Sequence, residues 1–340
     1  MRELDSQAIA AAAERQAGLT KPAGSLGELE QLGEQLSGIA SCCPPPIPSR
    51  PLVVVAAGDH GVIAEGVTPW PQEVTGQMVD NFLAGGAAIN VLARVVGADV
   101  VVVDAGVNRP QPERDGLAIL KVGRLTGNIR IEPAMSRDEA AELVDRGRRL
   151  AEERAAGGVD LLVTGDMGIG NTTPSAAIVS YVTGRSPQEV TGRGTGIGDE
   201  MLAHKVAVIA DAVGRCDPSL DGLGIASQLG GYEIAVLAGV MLGGAGAGVP
   251  VIVDGVISLA AALVAYRIEP LVRGYLVAGH RSMEPGASAA LEFLGLRPLL
   301  DLNLRLGEGS GGVLAVPLVK AAAGILAEMA TFDSAGVSEK

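Results

Sequence analysis

One pattern constrains this chain more than any other: a short aliphatic, β-branched run ending in a polar residue and glycine, followed by a segment of helical length. It occurs at Leu52–Ala57 before Gly58-Asp59-His60-Gly61, at Val100–Val103 before Asp104-Ala105-Gly106, and at Leu161–Thr164 before Gly165-Asp166-Met167-Gly168. It returns at Val249–Val253 before Asp254-Gly255 and at Tyr275–Ala278 before Gly279-His280-Arg281. Strands that are apolar throughout have no face to give to water, so both faces must be covered. Helices alternating with such strands supply that cover around a parallel sheet. The expected fold is α/β, a doubly wound, mainly parallel, Rossmann-like sheet.

The intervening segments carry helical signals of their own. Residues 138–154 place Glu142 four before Arg146 and Asp145 four before Arg149, the spacing of ion pairs on an exposed helix face. Ser25 with Glu28 three residues on has the spacing of a capping box and predicts a helix start there. Cys42-Cys43-Pro44-Pro45-Pro46-Ile47-Pro48 reads as a stiff, extended connector. Residues 234–253 carry no charge and reach the length of a membrane span, but Gly243, Gly244, Gly246, Gly248 and Pro250 interrupt them. The expected arrangement is a helix, a glycine-rich turn and the buried strand Val249–Val253, with no membrane involved.

Composition excludes several function classes. Lys and Arg number 26 against 39 Asp and Glu, a net charge of −13 that disfavours binding to a phosphate backbone, so no nucleic-acid partner is expected. Cys42, Cys43 and Cys216 cannot make a disulfide framework. Together with His60, His204 and His280 they show no zinc-ligand spacing, so no metal is expected, and a reducing cytoplasm fits. The charged N-terminal turns lack the apolar core of a signal peptide. Glycine, 48 of 340 residues, is roughly double its usual share and without a collagen period.

The polar residues that end the strands, Asp59, His60, Asp104, Asp166, Asp254, His280 and Arg281, fall where an open parallel sheet binds ligands. An aspartate at such a place serves as a turn cap as readily as a ligand group. The strongest local signal is Gly165-Asp166-Met167-Gly168-Ile169-Gly170-Asn171-Thr172-Thr173-Pro174, between strand and helix. Its glycines let backbone approach an anion, and the helix N-terminus favours phosphate. No Walker sequence occurs in the chain. Gly192-Arg193-Gly194-Thr195-Gly196 leads into a helix with Lys205, a cation for the same phosphate or simply the end of a tight turn. Gly307-Glu308-Gly309-Ser310-Gly311-Gly312 has dinucleotide-fingerprint spacing, but no strand–helix–strand unit follows it. What sets it apart is Glu308. A carboxylate desolvated in a close-packed loop can act as general base, although by composition alone an exposed loop acid is the stronger reading.

Taken together, these pieces resemble the nicotinate-nucleotide:dimethylbenzimidazole phosphoribosyltransferase family of cobalamin lower-ligand synthesis. The resemblance spans nearly the whole chain. It runs from Thr20-Lys21-Pro22-Ala23-Gly24-Ser25-Leu26-Gly27 through Asp59-His60-Gly61-Val62, Pro71-Gln72-Glu73-Val74-Thr75 and Asn81–Asn90. It continues through Gly165–Pro174, Arg193–Gly196 and His280-Arg281-Ser282 to Leu306–Gly311. It implies transfer of phosphoribose from nicotinate mononucleotide to 5,6-dimethylbenzimidazole, with inversion at the anomeric carbon, giving α-ribazole 5′-phosphate and nicotinate. It also implies no cofactor.

By similarity Glu308 is the catalytic base and Asp166 an auxiliary catalytic group. Asp166 departs from the Gly-Glu-Met-Gly common in the family and is shorter by one methylene. Gly168, Gly170, Asn171, Thr172, Gly194, Lys205 and Ser282 would hold the phosphate end, and Gly307 and Gly309 would flank the base. The 70–80 segment, including Trp70 and Gln72, would belong to the acceptor pocket, Trp70 being equally suited to packing. The resemblance further implies a homodimer, with a large α/β domain over 49–310 and a small helical domain built from residues 1–48 and 311–340. The competing readings are a phosphoribosyltransferase with another azole, purine or phenolic acceptor, and an inactive nucleotide-binding homologue.

Overall fold

Six strands form the sheet: β1 (Pro51–Gly58), β2 (Asp99–Gly106), β3 (Leu117–Ile119), β4 (Leu161–Met167), β5 (Val251–Val253) and β6 (Leu276–Ala278). A computed structural model describes residues 1–338 except Thr195. The strand order is β3-β2-β1-β4-β5-β6, and every pairing is parallel. This is the expected doubly wound sheet. Direction reverses at β1, which pairs with β2 on one side and β4 on the other, so a crevice opens beyond the carboxyl ends of β1 and β4.

The helices are α1 (Ser6–Gly18), α2 (Glu28–Ala40), α3 (Glu73–Leu83), α4 (Ala88–Val96), α5 (Arg137–Ala156), α6 (Thr172–Thr183), α7 (Pro187–Val190) and α8 (Asp199–Gly214). They continue with α9 (Gly222–Leu229), α10 (Tyr232–Gly246), α11 (Val256–Ile268), α12 (Pro285–Leu294), α13 (Ser310–Leu314), α14 (Val316–Glu328) and α15 (Phe332–Ala335). Alternation along the strands divides the core in two. Val54, Ala56, Val103, Leu162 and Val253 pack with residues of α5, α6, α9, α10 and α11. Val53, Val55, Val102, Val163 and Val277 face the other way, onto α2, α3, α4, α13 and α14. α2 packs against both α1 and α14 as well, so the chain's two ends meet on that face; Leu19 and Thr331 form an antiparallel bridge there.

Several local expectations change. The capping box at Ser25 does not form. Gly24 and Gly27 take positive φ, +74° and +54°, turning the chain twice before α2 begins at Glu28 with Gly27 as its N-cap. Glu30, not Glu28, reaches back, accepting from Leu26 N and Lys21 Nζ. The edge strand β3 is not anticipated by the sequence pattern. It is only three residues long and follows a polar loop.

The turn before β5 is confined to Ala247-Gly248, with Gly248 at φ +73°, and the other glycines of residues 234–253 are helical. α10 runs through Gly239, Gly243 and Gly244 because they lie within the packed core. A Cβ on Gly239 would meet Val144 O of α5 at 2.1 Å, and one on Gly243 would meet Arg148 O of α5 at 2.3 Å. The uncharged segment is thus a core helix followed by β5, buried within the molecule. Two other stretches, Glu73–Val96 and Ser310–Glu328, also reach the length and apolar composition of a span. The chain breaks the first between α3 and α4, and the second at Ala315 between α13 and α14. The predicted ion pairs of α5 are present: Arg146 Nε lies 2.8 Å from Glu142 and Arg149 Nη2 2.6 Å from Asp145.

Candidate active site

Asp166 is delivered by the last turns of β4, where strand geometry carries it past the sheet edge into the crevice. One carboxylate oxygen accepts from Asn171 Nδ2 at 2.8 Å; the other is buried without a partner among the described residues. Burial, then the neighbouring Asp254, and further Glu233 and Glu308, push its pKa well above the usual carboxylate range. Gly168 follows where space is shortest, since a Cβ there would meet Gly58 O at 2.5 Å and His60 Nε2 at 3.1 Å. Beneath it His60 Nε2 lies 2.9 Å from Glu233 Oε1, with both side chains buried. Burial alone would lower the His60 pKa; the Glu233 carboxylate outweighs it and the pKa is raised.

Glu308 arrives from the far end of the sequence. Gly307, Glu308 and Gly309 all adopt left-handed backbone, φ +84°, +63° and +88°, and Glu308 is a non-glycine residue held in that region. The loop crosses directly over β4: a Cβ on Gly165 would lie 2.3 Å from Glu308 O. The Glu308 carboxylate is buried and accepts from Ile89 N, in the first turn of α4, at 3.2 Å. Its pKa is raised by burial, opposed by that hydrogen bond and reinforced by Asp254.

At the other end of the cleft Lys205, on α8, is buried and donates to Thr172 Oγ1 at 2.7 Å at the start of α6. Burial lowers its pKa to about 8 against the pull of Glu284. Glu284 Oε1 accepts from Gly194 N at 2.8 Å, so that N–H is already engaged. Thr195 lies outside the described residues.

One cavity of about 340 Å³ joins these groups. It takes in Trp70, Asp166, Gly168, Gly170, Asn171, Thr172, Gly194, Lys205, Ser282, Gly307 and Glu308 from the sequence expectation. Gln72 and Gly309 are not in its lining: Gln72 Oε1 accepts from Asn108 and Gly309 N donates to Asp254. Val74 and Met78 on α3, within the expected 70–80 segment, sit with Trp70 and Leu306 as an apolar wall, whereas Glu284 and Arg305 in the polar lining escaped sequence reasoning. No motif marks Glu284 or Arg305. Val74 and Met78, four residues apart, share one face of α3, and Trp70 lies just before that helix.

A cationic and helix-N-terminal end for phosphate, a central pair of raised carboxyls and an apolar wall define a class, and a phosphoribosyltransferase family profile matches residues 1–337. The chain is an enzyme of that class. It is 52% identical, over 99% of its length and 97% of the relative's, to a nicotinate-nucleotide–dimethylbenzimidazole phosphoribosyltransferase of Salinispora tropica. It is 53% identical, over 99% and 96%, to the enzyme of the same name from Chloroflexus aggregans. A crystal structure of the similarly named Thermus thermophilus protein superposes with a TM-score of 0.95 at 46% identity, covering 99% of this chain and 100% of that one. The chain belongs to the nicotinate-nucleotide–dimethylbenzimidazole phosphoribosyltransferase family.

Proposed function

We propose that the protein transfers the phosphoribosyl group of nicotinate mononucleotide to 5,6-dimethylbenzimidazole, giving α-ribazole 5′-phosphate and nicotinate with inversion at the anomeric carbon. The observation that carries this reading is the meeting of the Glu308 carboxylate in one cavity with the Lys205–Thr172 end and the wall of Trp70, Val74 and Met78. Phosphate sits by Lys205 and the N-terminus of α6, and the acceptor ring lies on the apolar wall. The lone-pair nitrogen of the benzimidazole attacks C1 of the ribose. The C1–pyridinium bond breaks and its electron pair stays on the nicotinate nitrogen, neutralising it. The proton on the second benzimidazole nitrogen passes to Glu308, whose raised pKa makes it a stronger base than an exposed glutamate. Asp166, beside Gly307 and with its proton affinity raised by burial, assists as an auxiliary group at the same end of the cavity.

In this reading the phosphate end comprises Gly168, Gly170, Asn171, Thr172, Gly194, Lys205 and Ser282, while Gly307 and Gly309 set the base loop and Gln72 supports the acceptor wall from behind. The protein works in the cytoplasm as a homodimer. α1, α2 and α14 act as a small helical unit from residues 1–48 and 311–340, supported by their mutual packing, beside the large unit 49–310. The test is an acceptor panel read by product mass. With nicotinate mononucleotide, dimethylbenzimidazole is expected to release nicotinate and α-ribazole 5′-phosphate in equal amounts. Turnover with another azole, a purine or a phenol in its place would reassign the acceptor, and none with any acceptor would overturn the reading.

A further inference from the structure

The loop that carries Glu308 has no regular strand or long helix to hold it, yet it is costly at one point: between two glycines that take positive φ freely, Glu308 is itself held at φ +63°. Something must over-determine it. The contacts that do so converge on one side chain. Asp254, at the end of β5 and with its side chain fully buried, accepts from Gly309 N at 3.2 Å and from Gly312 N at 2.8 Å, one oxygen to each. The two amides bracket the turn from Glu308 into α13. The same carboxylate has His280 Nε2 at 3.3 Å, and the imidazole packs where Gly311 has no side chain, since a Cβ there would meet His280 Cδ2 at 2.0 Å. One aspartate thus ties the ends of β5 and β6 to the base loop. Asp254 itself is absent from the cavity lining, so its effect on chemistry must pass through what it holds.

We propose that Asp254 is the positioning residue of the reaction: its carboxylate fixes the left-handed Gly307–Gly309 turn and so aims Glu308. This rests on the assignment of Glu308 as base. The charged and titratable groups on the elements around Glu308 are Asp166 on β4, Asp254 after β5, His280 after β6 and Arg305 on its own loop, with His60 and Glu233 behind Asp166 and Lys205 across the cavity. α4 offers Glu308 a backbone N–H. Asp254 is the acid among these that both bonds to the loop and raises the Glu308 pKa.

The experiment compares pH profiles of kcat and direct nucleotide binding for the full-length protein, Glu308→Gln and Asp254→Asn. Asp254→Asn keeps the shape, removes the charge and can serve only one of the two amides. It is expected to lower kcat by about 10²-fold, the cost of a small misplacement of a catalytic group, with nicotinate mononucleotide affinity within about threefold of wild type. The acid limb of its kcat profile moves to lower pH by up to about one unit, because a negative neighbour has been removed. Glu308→Gln is expected to lose the limb altogether. Near-normal turnover in Glu308→Gln overturns the base assignment; loss there, with kcat and limb unmoved in Asp254→Asn, overturns the positioning role alone. Should Asp254→Asn fail to fold, Asp254→Ser, smaller and equally uncharged, is judged by the same limb.

Discussion

Lys205 brings the proposed phosphate end an ammonium whose charge the fold resists. Its pKa in the folded chain, about 8, lies below its ordinary value of 10.5 because it is buried, with Glu284 only partly offsetting the loss of water. Between those two values the unfolded chain binds the extra proton, so the burden on stability is complete below about pH 8 and fades as pH rises towards 10.5. Function runs the opposite way. A phosphate dianion needs the protonated lysine, so the KM for nicotinate mononucleotide is expected to climb as pH passes about 8, by up to about tenfold per unit. Lys205→Met is expected to raise KM at neutral pH and flatten that climb. An unchanged climb in this variant would place the titrating group elsewhere. The identities of Lys205, Asp166 and Glu308 are legible in the sequence because each stands in or just after a glycine-framed motif. That Glu308 and Asp166 share a site, and that Asp254 stands behind both, is decided by β4 and β5 lying side by side.

At the scale of elements, five of the six strands can be read from apolar runs, with ends displaced by at most three residues, as at Val249–Val253 against the observed Val251–Val253. β3 escapes because pairing with β2, not local pattern, makes it a strand. The glycine excess has a second cause besides loops. Gly147 on α5 and Gly239 and Gly243 on α10 let two helix backbones touch, a Cβ on Gly147 falling 2.2 Å from Val236 O. Spacing alone cannot separate such glycines from turn glycines, since the contact exists only once α5 packs on α10. Gly239→Ala is therefore expected to destabilise the protein by about 1–3 kcal/mol, through overpacking that outweighs alanine's better helix propensity. Denaturant unfolding measures it, and a stabilised variant would show that the two helices separate without cost.

At the scale of the whole molecule, α4 leaves Val91 and Val95 49% and 77% exposed, and Met283, Leu302 and Leu306 are each more than half exposed. Apolar surface of this kind suits a partner copy. Light scattering is expected to give twice the 34.3 kDa chain mass, and a monomer at every concentration tested would remove the proposed homodimer. The sequence by itself determined the class of fold, because strands apolar on both faces must be covered on both, and the chemical repertoire, because catalytic side chains are written into motifs. Only the tertiary structure decided which of those side chains meet. Asp166, Asp254 and Glu308 lie far apart along the chain; the parallel sheet ends β4 and β5 side by side, and the loop before α13 crosses over β4 to bring Glu308 to them. Burial there then raises the proton affinities of Asp166 and Glu308, a property of the surroundings that no residue carries in its own identity.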